Sequence, residues 1–168
     1  GDYLTYFFNI PGITPMALLT VFLMTLMRLA PMLAIAPFFG GKLIPGQVKS
    51  GILVVLTFVF FPIVMQVTTK PLQLDFAFTL LAVKEILVGF ILAFLISIPF
   101  LVVQSSGILI DYLRGASIFQ MQDPSFSNQV SPIGMLYNYL LIFMFYQIDG
   151  PFLFFDVMEK MYHVLPPD

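Results

Sequence analysis

Cysteine and tryptophan are absent from this 168-residue chain, histidine occurs once, and charge is scarce. Without cysteine there can be no disulfide framework, thiolate metal site or cysteine nucleophile. His163 alone leaves a histidine-built metal centre short of ligands. Seven basic residues against nine acidic ones give a net charge of −2, so nucleic acid would find no basic footprint. Charged residues make up 10% of the chain and apolar residues 60%, whereas soluble domains average about 25% and about 45–50%. So few charges cannot coat a water-soluble globule of this size. The composition leaves a membrane protein or an obligate subunit, long enough for one domain or two small ones. No basic stretch precedes the first apolar run, and Asp2 is acidic, so the opening residues do not resemble a secretory signal.

What the chain has in abundance is apolar length. Five hydrophobic blocks cover residues 16–39, 52–65, 86–103, 105–121 and 133–148, the last continuing past Asp149-Gly150-Pro151 into the aromatic run 152–155. The third block holds 18 residues, about 27 Å as a helix at about 1.5 Å per residue, close to the bilayer core of about 30 Å. In lipid, backbone groups must be satisfied within the segment, and no long alternating pattern suggests barrel strands, so the expected class is all-α. Pro31, Pro37, Pro62 and Pro99 interrupt the blocks, and each removes an amide donor and is expected to bend or end a helix. Blocks two and four are short for a full crossing. Breaks at membrane depth are tolerated only against protein or a water-filled cavity. Hydrophobic helical hairpins with broken helices, packed in a larger assembly, are the expected architecture. Lys42 and Lys49 stand without an acid in the 40–50 linker, which favours a cytoplasmic loop with the N-terminus outside.

Few residues inside these blocks could carry chemistry. Arg28 lies well within the first, where an ionisable group needs a partner or a water path. A structural ion pair and a place in a transport path both remain open. Lys84-Glu85 opens the third block, at an interface with solvent or in a buried intersubunit contact. Glu85, Gly89, Ala93 and Ser97 recur every four residues and so share one helical face. Small residues on such a stripe admit a second helix closely, from this chain or another subunit. Gly107, Asp111 and Gly115 repeat the spacing, with Arg114 placed for a local pair to Asp111 or for an interchain partner. Catalytic templates fail in turn. Gly40-Gly41-Lys42 lacks the spacing and hydroxyl of a phosphate loop. Gly115-Ala116-Ser117 has no companion base or oxyanion set, and the contexts of Asp111 and Asp149 do not suggest an aspartyl dyad. No enzyme activity, cofactor or metal site is expected.

The order of several short motifs resembles the FliR/SctT family. Arg28-Leu-Ala-Pro31 and Ala36-Pro37-Phe-Phe-Gly40-Gly-Lys42-Leu-Ile-Pro45 carry the likeness first. It continues through Lys84-Glu85-Ile-Leu-Val-Gly89, Gln104-Ser-Ser-Gly107-Ile-Leu-Ile-Asp111, Gly115-Ala-Ser117, Asp123-Pro124, Ser131-Pro132 and Asp149-Gly150. The resemblance implies a subunit of the type III protein export gate in the bacterial inner membrane. It further implies P-type and Q-type subunits, lipid and unfolded secreted polypeptides as partners, around a narrow channel. Lys42 stands where flagellar members usually have arginine, and Pro151 where they often have histidine. Those departures, with Lys42–Pro45 and the 131–137 stretch, lean towards injectisome versions. Family members continue into further hydrophobic helices, so residues 1–168 would form a single export-gate domain lacking its C-terminal helices.

In related assemblies a loop of this subunit plugs the lumen, and residues 117–129 match it by position. The candidate plug residues are Phe119, Met121, Asp123, Pro124 and Phe126. Three are bulky and apolar, set among the polar, uncharged Gln120, Gln122, Ser125, Ser127 and Asn128, a composition that could close a pore by filling and dewetting. Methionine adapts to varied shapes, and Asp123-Pro124 would fix a turn. Two other readings compete: a small-solute secondary transporter, which uses broken helices and buried charge similarly, and a scaffold subunit that conducts nothing.

Overall fold

The computed structural model describes residues 14–39, 41, 43–68, 73–115 and 131–168. Of these, 86% are helical and none is in a strand. Helix α1, Pro15–Ile35, starts where sequence chemistry dictates. Thr14 Oγ1 accepts from the Ala17 amide at 3.1 Å, and Pro15 occupies a first-turn position whose missing N–H has no helical partner to lose. A 3-10 turn, Pro37–Phe39, follows. Helix α2 is Gly46–Val67 and α3 is Phe76–Leu113, the latter opened by Asp75, whose Oδ1 accepts from the Phe78 amide at 2.9 Å. Helix α4, Pro132–Gln147, repeats the cap-proline pair with Ser131 accepting from the Gly134 amide at 2.9 Å. Helix α5 is Gly150–Val164.

One expectation from the block pattern needs correction. Block three and the start of block four, as far as Leu113, lie in one helix of 38 residues, about 57 Å long at about 1.5 Å per residue and roughly twice the bilayer core of about 30 Å. The polar Gln104-Ser105-Ser106 step that suggested a boundary does not break it. The Ser106 hydroxyl donates to the Val102 carbonyl at 2.9 Å, so its polarity is absorbed by the helix itself. Of the prolines expected to bend or end a helix, three do not end theirs. Pro31, Pro62 and Pro99 all lie inside α1, α2 and α3. Only Pro37 coincides with a break, after α1.

A real break separates α4 from α5. Asp149 takes a left-handed conformation, φ 56°, and its amide donates to the Tyr146 carbonyl at 3.2 Å. Aspartate tolerates this region better than most residues. Gly150-Pro151 then starts α5, proline fitting its first turn.

The described chain divides into two compact units, Gly1–Phe94 with Phe154–Asp168, and Leu95–Leu153. In the first, α1 packs on α2, with Phe22 and Phe58 rings 5.1 Å apart, and on the start of α3 through Met24, Phe78 and Ala82. Phe38 and Phe154 meet edge-on at 5.3 Å, and Phe60 lies 6.0 Å from Phe155. Buried threonines along α1 and α2 satisfy themselves: the Thr25 and Thr57 hydroxyls donate to the carbonyls four residues back. In the second unit the Phe100 and Phe145 rings meet edge-on at 5.7 Å.

Among the described residues three helices, α1, α2 and α3, are long and apolar enough to cross a membrane, and the bent α4–α5 pair could add a fourth span. On α3 only one narrow stripe is buried, while Leu87, Phe90, Ile91, Phe94, Leu101 and Val102 are exposed. An exterior this apolar is stable against lipid or other protein, not against water.

Candidate functional site

In the first unit the residues of interest converge on Arg28. Its side chain and that of Glu85 are both fully buried. Arg28 Nε donates to Glu85 Oε2 at 2.6 Å and Nη2 to Oε1 at 2.7 Å, a two-point pairing suited to a planar guanidinium. Nη2 also donates to the Leu165 carbonyl at 2.6 Å. The Tyr162 ring lies 4.3 Å from Arg28 Cζ, close enough for a cation–π contact with the desolvated charge. Lys84 Nζ lies 3.4 Å from Glu85 Oε1 and donates to the Pro166 and Pro167 carbonyls at 2.8 and 2.9 Å. One buried carboxylate thus balances two cations, and the surplus positive charge faces three successive carbonyls beyond α5. Proline causes part of this geometry, since Pro166 and Pro167 cannot continue the helix and leave their carbonyls free.

The small residues explain how the pair is reached. A Cβ at Gly89 would overlap the backbone carbonyl oxygen of Arg28, so α1 and α3 touch backbone to backbone one turn beyond Glu85. Ala93 and Ser97 continue the buried stripe along α3. The partner helix at Gly89 belongs to this chain.

The second unit holds a separate cluster. Asp111 is buried, 5% exposed. Its Oδ2 accepts from the Ser131 hydroxyl at 2.6 Å and the Ile133 amide at 2.9 Å, and its Oδ1 from Arg114 at 3.0 Å. Arg114 thus makes the local pair. A Cβ at Gly107 would come within 2.6 Å of Gly134 Cα, so α3 and α4 meet with no side chain between them. Gly115, φ 72°, closes the end of α3 in a conformation glycine adopts without penalty. The carboxylate therefore sits at the N-terminus of α4, where a free amide and the helix dipole favour negative charge.

The candidate plug residues Phe119, Met121, Asp123, Pro124 and Phe126 lie outside the described residues, as does Lys42. Tyr162 and the 165–167 carbonyls are participants that motif reading overlooked, while Ser131 and Gly134 stood in the motifs without an assigned role. For Ser131 a signal existed, since serine before proline at a helix start is a capping signature. For Tyr162 there was none, because it meets Arg28 across more than a hundred residues of chain. Among the described residues no three His, Cys, Asp or Glu side chains are grouped to hold a metal ion.

Residues 19–168 match the family described as bacterial export proteins, family 1. The chain is similar to Secretion system apparatus protein SsaT of Salmonella typhimurium, 28% identical over 76% of this chain and 49% of that protein. It is 30% identical to Yop proteins translocation protein T of Yersinia pestis, over 86% of this chain and 54% of that protein. Flagellar biosynthetic protein FliR of Bacillus subtilis is 33% identical over 76% of this chain and 49% of its own length. The chain spans about half the length of the curated relatives it matches. Identities to secretion-system and flagellar relatives overlap, so the leaning towards injectisome versions rests on its own motifs.

Proposed function

Because this chain belongs to family 1 of the bacterial export proteins, we propose that it is a subunit of a type III export gate in the bacterial inner membrane. It does no catalysis in this reading. It helps wall a narrow channel for unfolded secreted polypeptides, together with P-type and Q-type subunits. Residues 117–129 close that channel as a plug, with Phe119, Met121 and Phe126 supplying apolar bulk and Asp123-Pro124 the turn. The single observation that carries the assembly role is the apolar exterior of α3, 38 residues long with one buried stripe. A helix about 57 Å long outruns a hydrocarbon core of about 30 Å, so lipid alone cannot cover it and protein partners must cover part.

Supporting the same reading, the buried charged side chains Arg28, Glu85 and Asp111 are engaged in structural pairing. Each of the three spends its charge on partners within the chain rather than on an open cavity-facing site. The test is isolation of the chain from native membranes with its associated proteins. Co-purification with small helical P- and Q-type subunits in one ring-like particle supports the proposal. Purification as a lone monomer that binds a small solute would replace it with the transporter reading.

A further inference from the structure

We infer that the groove between α3 and α4 at Gln104 and Asn138 is a docking site for a helix of another subunit, one that brings an uncharged hydrogen-bond donor to Asn138. The inference rests on the proposal that the chain is a subunit of a membrane assembly. Three buried side-chain atoms have no hydrogen-bond partner among the described residues: Arg28 Nη1, Tyr162 Oη and Asn138 Oδ1. The first two belong to fully buried residues of the first unit, whereas Asn138 is only half-buried. A turn of its side chain brings the oxygen to the surface of the hairpin. An amide acceptor left dry and unpaired is costly, and lipid offers it no donor.

Helix geometry places Gln104 beside it. Gly107 rests on Gly134, and farther along Phe100 meets Phe145, so α3 and α4 run antiparallel. From the glycine contact, Gln104 lies about 4.5 Å back along α3 and Asn138 about 6 Å on along α4, at about 1.5 Å per residue. In an antiparallel pair both steps lead to the same level. They also turn about 60° and about 40° from the line of contact, to the same flank. The Gln104 carbonyl, 3.1 Å from where a Gly134 Cβ would stand, fits that level. Gln104 is half-buried too, so its amide can join the same contact.

The surroundings define the occupant. By the same count Ile108 and Met135 lie on this flank, and both are exposed. An apolar rim favours packed side chains over water and shelters a hydrogen bond within it. The nearest charges along the hairpin, Asp111 and Arg114, already pair with each other. A charged visitor would therefore be desolvated without a counter-charge. The occupant is an apolar helix carrying Ser, Thr, Asn or Gln at this level, residue types that hydrogen-bond across helices in membranes.

The experiment measures two quantities: yield of the assembled gate from native membranes, and melting temperature of the isolated chain in detergent. Asn138→Leu removes the orphan acceptor, so the chain alone should melt no lower than before. Its gate yield should fall about threefold to tenfold, the worth of one interhelical hydrogen bond. Gln104→Leu should lower yield in the same direction, while Ser105→Ala, on the far side of α3, should change neither quantity. A photo-crosslinking residue at Met135 should capture an apolar helix of another subunit. Capture of a second copy of this chain, of secreted polypeptide or of lipid alone overturns the inference. A lower melting temperature for Asn138→Leu also overturns it, since the amide would then have an internal partner. If the wild-type chain purifies without other subunits, the proposed function falls and this inference with it. If the wild type assembles and Asn138→Leu assembles equally well, only this inference falls.

Discussion

Arg28 and Glu85 meet through two hydrogen bonds, 2.6 and 2.7 Å long, with neither side chain exposed to solvent. Their pairing explains how a chain so poor in charge keeps two ionised groups inside its apolar packing. Desolvation opposes each charge separately, and the partner, the added carbonyl, the Tyr162 ring and Lys84 offset it.

Removing one partner should therefore be worse than removing a surface pair. Arg28→Ala or Glu85→Ala is expected to destabilise the protein by about 3–5 kcal/mol, because the remaining charge stays buried and unpaired. Lys160 and Asp156 pair on the exposed face of α5 at 2.7 Å, and Lys160→Ala should change stability little. Thermal unfolding in detergent measures all three, and equal losses would contradict the burial assigned to the ion pair.

Tyr162 separates ring from hydroxyl. Its ring stacks on Arg28, while its buried hydroxyl has no hydrogen-bond partner among the described residues. Tyr162→Phe keeps the cation–π contact and should alter stability by less than about 1 kcal/mol, whereas Tyr162→Leu should lose about 2 kcal/mol. A large loss for Tyr162→Phe in the same unfolding assay would show that the hydroxyl, not the ring, does the work.

Glycine positions divide by what surrounds them. Gly89→Ala must push a methyl into the Arg28 carbonyl, a backbone clash expected to cost about 1–3 kcal/mol, and Gly89→Leu should block assembly altogether. Gly51, inside α2, has open space around it, so Gly51→Ala should gain about 0.5–1 kcal/mol from helix propensity. Gate yield and melting temperature report both, and a tolerated Gly89→Leu would place the stripe against lipid.

At the α4–α5 break, Asp149 holds φ 56°. A branched side chain there should lose about 1–2 kcal/mol, so Asp149→Val is expected to unfold earlier than Asp149→Gly. The reverse order of melting temperatures would mean that the break is held by side-chain contacts rather than by backbone conformation.

For the plug, replacing Phe119, Met121 and Phe126 with glycine should leave gate yield intact and make cells permeable to small molecules. Met121→Leu should stay tight, since volume and polarity are nearly kept. Normal yield without leak removes the plug assignment, and lost yield shows that the loop supports assembly instead.

Composition and local chemistry made much of this protein legible in the sequence. Scarce charge and long apolar blocks determine an all-helical, membrane-embedded chain, because buried backbone must hydrogen-bond within its own segment. Helix starts at Pro15 and Pro132 follow from Thr14 and Ser131, because a capping hydroxyl and a proline each act within one turn. The four-residue recurrence of Glu85, Gly89, Ala93 and Ser97 determines a face, because helical geometry is periodic. Only the tertiary structure decided what that face meets. Gly89 lies on the Arg28 backbone, Tyr162 on its guanidinium, and Asp111 under Ser131, and no local rule selects partners so far apart in the chain. It also decided that block three runs on into block four as one helix to Leu113, since Pro99 and the Gln104-Ser105-Ser106 step weaken a helix locally without ending it. Pairing across the chain depends on which surfaces exclude water together, and that is a property of the packed molecule.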